Sequence, residues 1–389
     1  MNHKILKQEV QTYIRDNFQQ DYRNISLQKS PFDGISSSEL AQQIKGLQVA
    51  KQKFPVFFEK EGFYYPPSLN LEQASSWATA CFKTELVQGK TLLDLTAGMG
   101  VDSFAFSQHF EEVTSVERNE QLVEICQYNY RELFQQNLKY VGGNFEDFLK
   151  TNPDLKWDII YVDPARRKDY QKKFVLEDLE PNVLEWMEEY LNRSRKVLIK
   201  LSPLFDIKRV LEQIPQVQSV YVVAVKNEVK ELLVLCSKQM NPNPTIAAVN
   251  LESNQPRFEF TLKEEENSQP EYSAALNYLY EPNSAILKGG AFKLLAERFG
   301  VKKLHRNTHF YTSENLVENF PGKIYELKGE IQDAKKEIKG KSFHVISKNY
   351  PLSVELIRKK YKLKEGEVQT LLFTQTIEGK TILQAQKIR

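Results

Sequence analysis

The chain predicts an α/β fold: a parallel sheet closed by one antiparallel hairpin, with a helical region before it and a small α+β module after it. Three observations carry this expectation. Short apolar runs at 91–95 (TLLDL), 113–117 (VTSVE), 138–142 (LKYVG), 158–163 (DIIYVD) and 196–201 (KVLIKL) alternate with helix-length segments, the pattern of βαβ units. Two further runs, SVYVVAV and ELLVLC, are separated only by KNEVK, too short for a parallel crossover and suited to a hairpin. The first run feeds a small-residue turn, TAGMG, placed between strand and helix.

The elements follow in order. Ser36-Ser-Ser-Glu39 is a capping-box pattern opening the helix ELAQQIKGLQVAKQKF. An aromatic, proline-rich loop, PVFFEKEGFYYPPSLN, follows; a second cap at Asn70, with Gln73 three residues on, opens LEQASSWATACFKTEL. Beyond the hairpin, QMNPNPTIAAVNLESNQP reads as a boundary, so the sheet is expected to end near Lys238. Residues 256–320 read as short strands with a helix around GGAFKLLAERFG. Residues 322–389 read as a strand (SFHVIS), a helix (LSVELIRKKYKL) and two strands (QTLLFTQT, KTILQAQK). The expected domains are a helical region at 1–75, the sheet domain at 76–240, a small α+β (ferredoxin-like) domain at 241–320 and a basic module at 321–389.

Of 389 residues, 41% are apolar and 27% charged, an ordinary globular balance. No apolar run approaches the ~20 residues of a membrane helix, the N-terminus lacks the apolar core of a secretory signal, and the three cysteines lie far apart. These features are read as a soluble, cytoplasmic protein. The net charge of +2 is uneven: residues 321–389 hold fifteen Lys and Arg against eight Asp and Glu. A basic terminal module on an acidic body suits an anionic partner. The run IRKKYKLKEG (Ile357–Gly366) is either a nucleic-acid contact or a solvated helix face. Five histidines show no ligand spacing, and His305 and His309 fall in a loop-like stretch, so no metal is expected.

The turn after the first strand, LLDLTAGMGVDSF, invites a ligand against bare backbone. A phosphate loop needs Gly-Lys-Ser/Thr, and no lysine follows Gly100. A dinucleotide fingerprint needs a third glycine where Ser103 stands. What remains is S-adenosylmethionine, held by an acid on the strand and a looser G-x-G. The later strand ends strengthen that reading. The second closes on Glu117, placed to accept both hydroxyls of a ribose diol; the third on Gly143-Asn144-Phe145, an amide and an aromatic edge for adenine; the fourth on Asp163-Pro164-Ala165-Arg166. Open α/β sheets bind ligands at such carboxyl ends.

The order DLTAGMG, SVERN, GGNFEDF, YVDPAR and a closing hairpin resembles the class I S-adenosylmethionine-dependent methyltransferases, with their Rossmann-like sheet. It looks most like bacterial methyltransferase-like proteins carrying a THUMP-like C-terminal domain, over residues ~90–238 and more loosely beyond. The first motif is also similar to that of guanine-N2 RNA methyltransferases. The resemblance implies S-adenosyl-L-methionine as cofactor, with Asp94, Thr96, Ala97, Gly98 and Gly100 around its methionine part. Glu117 and the adjacent Arg118 would serve the ribose side, Asn144 and Phe145 the adenine, and Asp163 the reacting centre. It implies RNA, such as rRNA or tRNA, as partner of the basic module. Two features depart from the pattern. Amino-methylating relatives carry D-P-P and an aromatic where this chain has Asp163-Pro164-Ala165-Arg166-Arg167, and their THUMP domains precede the sheet rather than follow it.

Methyl transfer is an in-line displacement, so the protein mainly aligns the reactants and excludes water. Asp163, with its carbonyl fixed by Pro164, is the expected acceptor for N–H protons of an exocyclic amine such as guanine N2. Arg166 and Arg167 stay protonated and could clamp a phosphate. Cys126 and Cys236 fall in a helix and the last strand, away from the site, which disfavours a cysteine-nucleophile route. The aromatic loop (Phe57, Phe58, Phe63, Tyr64, Tyr65) reads as a lid or core plug, or as faces for an unpaired base. The alternatives are an RNA-binding protein on an inactive methyltransferase fold, and a protein or small-molecule methyltransferase.

Overall fold

A computed structural model describes residues 1–134, 137–166 and 175–388. They form two compact units, Met1–Val217 with Leu233–Met240, and Gln218–Leu232 with Asn241–Arg389.

The first unit is built on strands β1 (Thr91–Asp94), β2 (Glu112–Glu117), β3 (Leu138–Gly142) and β4 (Trp157–Val162). The short β5 (Ala165–Arg166) and β6 (Leu179–Glu180) come next, then β7 (Ser194–Leu201). Five of them pair in parallel in the order β7-β4-β1-β2-β3. The chain therefore leaves β1 toward β2 and β3, then crosses back to β4 and β7. All five carboxyl ends share one edge, and the order switches beside β1, where such sheets bind ligands. Leu92, Leu93, Ile160, Val197, Leu198 and Ile199 are fully buried, which is why these strands read as continuous apolar runs rather than alternating ones.

The hairpin of β8 (Val217–Val225) and β9 (Glu228–Ser237) is tighter than KNEVK suggested. Lys226 (φ 49°) and Asn227 (φ 67°) alone form the turn, the left-handed pair that matches strand twist. Leu233–Met240 belongs to this unit, and β9 neighbours β7 in the sheet order.

The capping box at Ser36 and Glu39 forms as expected. The helix expected from Asn70 does not: it is two helices, Ser68–Gln73 and Trp77–Leu86. Ser76 caps the second by accepting the Thr79 N–H (3.3 Å), and Ser75 turns its hydroxyl to Asp102 (2.7 Å). The Ser76 side chain bonds the backbone and so starts the second helix just after the first has ended. The aromatic loop includes a short helix, Pro55–Glu59. Phe57, Phe63, Tyr64 and Tyr65 are all buried, and Phe57 stacks on Phe63 at 4.5 Å and meets Phe104 at 5.4 Å. These rings are core, so they offer no faces to an unpaired base.

In the second unit the sheet does not end near Lys238. β10 (Thr245–Leu251) pairs in parallel with Ser219–Val225 of β8, and β11 (Phe258–Thr261) pairs antiparallel with β10. The proline–asparagine signal marks only the turn at 241–244. The Ile246-Ala247-Ala248 run is buried, so it shows no alternation to announce a strand. A second sheet holds β12 (Tyr278–Pro282), β13 (Lys302–His305), β14 (Thr308–Ser313), β15 (Gly322–Glu330), β16 (His344–Ser347), β17 (Gln369–Thr376) and β18 (Gly379–Lys387). Their order is β13-β14-β12-β15-β18-β17-β16. His305 and His309 thus lie on a hairpin, not in a loop. Helix Val354–Tyr361 buries Ile357 and Tyr361 in a cluster with Phe343 and Phe373. Among the described residues no helix is long and apolar enough to cross a membrane.

Candidate functional site

The turn leaving β1 is held from several sides. The Leu95 N–H donates to the Tyr161 carbonyl (3.1 Å), the Ala97 N–H to the Val116 carbonyl (3.1 Å) and the Tyr130 hydroxyl to the Met99 carbonyl (2.6 Å). Its glycines do different jobs. Gly100 (φ 77°) is packed: a Cβ there would stand 1.7 Å from the Tyr140 hydroxyl and 2.8 Å from Tyr130 Cε2. Gly98 (φ 56°) is open, with no non-neighbouring atom closer than 4.0 Å to the position of a Cβ.

Asp94 is buried, and both of its oxygens serve the turn: one accepts the Thr96 N–H (2.9 Å), the other the Ser103 hydroxyl (2.5 Å). Burial, reinforced by the charges of Asp102 and Asp163, pushes its carboxyl up to about 7 against these two hydrogen bonds. The folded state then keeps a proton that the unfolded chain releases near 3.8. The stability Asp94 adds is complete below that value and lost as pH rises through about 7. Urea unfolding from pH 4 to 8 should show this decline, and Asp94→Asn should flatten it. Equal slopes in the two proteins would refute the assignment.

Glu117, at the end of β2, accepts the Gly98 N–H (2.9 Å) on one oxygen and the Asn119 N–H (2.8 Å) on the other. A carboxylate has about four acceptor positions, so each oxygen keeps one for a ligand hydroxyl. Asn144 caps helix Phe145–Thr151 by accepting the Glu146 N–H (2.9 Å). Its carbonyl oxygen is thereby engaged, and its amide NH2 is the part suited to a ring nitrogen. Phe145 meets Trp186 edge to face at 5.2 Å. At β4, the Asp163 N–H donates to Thr96 Oγ1 (2.6 Å), and its carboxylate takes the Lys200 ammonium at 2.6 Å. Pro164 is buried; Arg166 is exposed on the β5–β6 ladder, and Arg118 reaches Glu180 of that ladder at 3.0 Å. Arg167 lies outside the described residues.

Asp94, Thr96, Ala97, Gly98, Gly100, Glu117, Arg118, Asn144, Phe145, Asp163, Pro164 and Arg166 all line one cavity of about 700 Å³. That volume suits a nucleoside-sized ligand. Other residues line it that the sequence did not single out, among them Ser75, Asp102, Trp186 and Lys200. Lys200 closes the run KVLIK and could have been found as a polar strand end, as Asp163 was. Asp102 stands two residues past Gly100, within the quoted motif. Trp186 and Ser75 lie on or between helices, and nothing in the sequence aims them at the sheet edge. Among the described residues no group of three His, Cys, Asp or Glu is placed to hold a metal.

Comparisons with known proteins agree with this architecture. A family model described as conserved hypothetical protein 95 matches residues 76–196, a ferredoxin-like domain model 278–321 and a THUMP domain-like model 322–387. The crystal structure of a proposed methyltransferase from Porphyromonas gingivalis W83 is 30% identical and covers 100% of this chain and 99% of that one, with a TM-score of 0.88. An uncharacterised protein of Methanocaldococcus jannaschii is 28% identical over 81 residues, which span 20% of this chain and 28% of that relative. A proposed RNA methyltransferase from Pyrococcus horikoshii covers 49% of this chain and 99% of its own at 18% identity, with a TM-score of 0.35; a score that low carries no argument. Identity of 30% over the full length of both chains decides the matter: this chain belongs to the family of the Porphyromonas gingivalis protein, the class I methyltransferase-fold proteins that carry a THUMP-like domain.

Proposed function

We propose that the protein is an S-adenosylmethionine-dependent methyltransferase acting on a base of structured RNA, at an exocyclic amine such as guanine N2. The observation that carries this reading is the convergence of Glu117, Gly98 and Asp163 on one cavity at the carboxyl edge, with β1 between the two acids. The residues fit the cofactor. Glu117 retains acceptor positions for a ribose diol, the open Cβ side of Gly98 admits a ligand against backbone, and Asn144 and Phe145 flank the adenine side.

The cofactor supplies a methyl group on a sulfonium sulfur. Asp163 is gripped by Thr96 at its backbone and Lys200 at its carboxylate, so its free oxygen can accept an N–H and turn the nitrogen lone pair toward the methyl carbon. Asp163, or water, would take the proton that the nitrogen gives up on methylation. Such a preorganised acceptor is worth about 10²–10³ in rate.

Support for RNA comes from the THUMP domain-like match and from charge. Helix Val354–Tyr361 buries Ile357 and exposes Lys359 and Lys360, and the Lys364 N–H donates to the Lys341 carbonyl (3.0 Å), drawing two basic segments together. The test is transfer of labelled methyl from S-adenosylmethionine to total cellular RNA. Native protein should label RNA. Asp163→Asn should label it about 10²-fold more slowly with affinity for S-adenosylhomocysteine retained. RNA left unlabelled by native protein would end the proposal.

A further inference from the structure

Asn70 and Gln73 have the spacing of a capping pair, yet neither caps a helix. Helix Ser68–Gln73 starts without a side-chain cap, and Ser76 caps the helix that follows. Among the described residues neither amide side chain has a hydrogen-bond partner. Side chains three apart share a helix face, and here both line the cavity of about 700 Å³, Asn70 half-buried and Gln73 exposed. A ligand in that cavity can reach them. The other face of this short helix is anchored. Leu71 is fully buried, and Lys53 Nζ donates to the Leu71 carbonyl (2.8 Å) and the Glu72 carbonyl (2.9 Å). Glu72 also pairs with Lys45 at 3.0 Å. The two free amides are therefore presented from a helix held from behind, which lowers the cost of ordering them on binding.

Their place along the sheet edge points to the acceptor rather than the cofactor. Ser75, just past the same helix, donates to Asp102 Oδ2 (2.7 Å), which also takes the Tyr161 hydroxyl (2.8 Å). Tyr161 lies on β4 two residues before Asp163, so this segment is fastened at the β4 end, away from the β2 and β3 ends assigned to adenosine. An in-line displacement brings the acceptor to the methyl carbon from the side opposite the sulfur.

We infer that Asn70 and Gln73 are specificity-determining residues that read the Watson–Crick edge of a target guanine. The inference rests on the proposed methyl transfer to a base and names what selects that base. With the N2 amine at Asp163, guanine has an N1–H donor and an O6 acceptor left on that edge. Each side-chain amide holds an acceptor oxygen and two N–H donors, so the pair can accept N1–H and donate to O6. A base taken out of its stack is read in this way. Adenine and cytosine present a bare ring nitrogen where guanine has N1–H, so neither fills both roles.

Asn70→Leu/Gln73→Met keeps the size of both side chains and removes their hydrogen bonds. Native protein given labelled S-adenosylmethionine and total cellular RNA should place the label in methylguanosine. The double variant should bind S-adenosylhomocysteine as native protein does, measured by calorimetry, and methylate the same RNA with a kcat/KM about 10- to 100-fold lower. Gln73→Met alone, at an exposed position, should lower it about 5- to 10-fold, which decides the matter should the double variant not fold. Transfer at the native rate, a matching loss of S-adenosylhomocysteine affinity, or native label in adenosine or cytidine would each overturn the inference and leave the methyltransferase reading standing. RNA left unlabelled by native protein would instead refute that reading, and this inference with it.

Discussion

Gly100→Ala should leave little folded protein, while Gly98→Ala should fold and lose its ligand. At Gly100 a methyl would stand 1.7 Å from the Tyr140 hydroxyl, and that ring, 5% exposed, packs against the fully buried Tyr130. Neither ring has room to swing. Overpacking of this kind and left-handed strain at φ 77° together cost about 2–5 kcal/mol, a large part of the ~5–15 kcal/mol that holds a typical domain. At Gly98 only the strain applies, about 1–2 kcal/mol, because nothing crowds the added carbon. The carbon would stand where a ligand must approach the backbone, so affinity for S-adenosylhomocysteine should fall at least about tenfold, a loss of ~1.4 kcal/mol. Denaturant unfolding and calorimetry on the two variants check both halves. A stable Gly100→Ala, or a Gly98→Ala that binds like native protein, would contradict this division of labour.

Lys83→Met should be the more damaging of two related changes. The Lys83 side chain is fully buried and that of Asp102 is 10% exposed. Removing the ammonium strands a buried carboxylate, at about 3–5 kcal/mol. Adding Asp102→Asn should recover most of that loss, because the amide keeps an oxygen for Ser75 and Tyr161 and carries no charge to desolvate. Urea unfolding of both single variants and the double completes the cycle, and the coupling between the two positions should reach about 2–3 kcal/mol. A double variant no more stable than Lys83→Met would show that charge burial is not the cause.

Much of the site was legible because parallel strands end abruptly. Asp94, Glu117, Asn144 and Asp163 each follow an apolar run, and polar groups at strand ends collect on the ligand edge whatever lies elsewhere. Residues on helices gave no such signal. Lys83 lies among Thr79, Ala80 and Phe82 in a helix with no polar stripe of its own, and only tertiary packing makes Asp102 its partner. The aromatic loop illustrates the converse: composition cannot tell a stacking face from a core plug, because both demand large flat rings.

The sequence by itself determined the parallel strands, the closing hairpin and the acids at the sheet edge, since these follow from periodicity and chain connectivity. Tertiary structure alone decided that Thr245–Leu251 extends the sheet, that Asn70 opens no helix, that Gly98 is open while Gly100 is packed, and that Ser75 and Trp186 join the cavity. The physical reason is range. Backbone propensity acts over a few residues, whereas a contact such as Lys200 to Asp163 spans 37 positions and exists only once neighbouring strands have set their register.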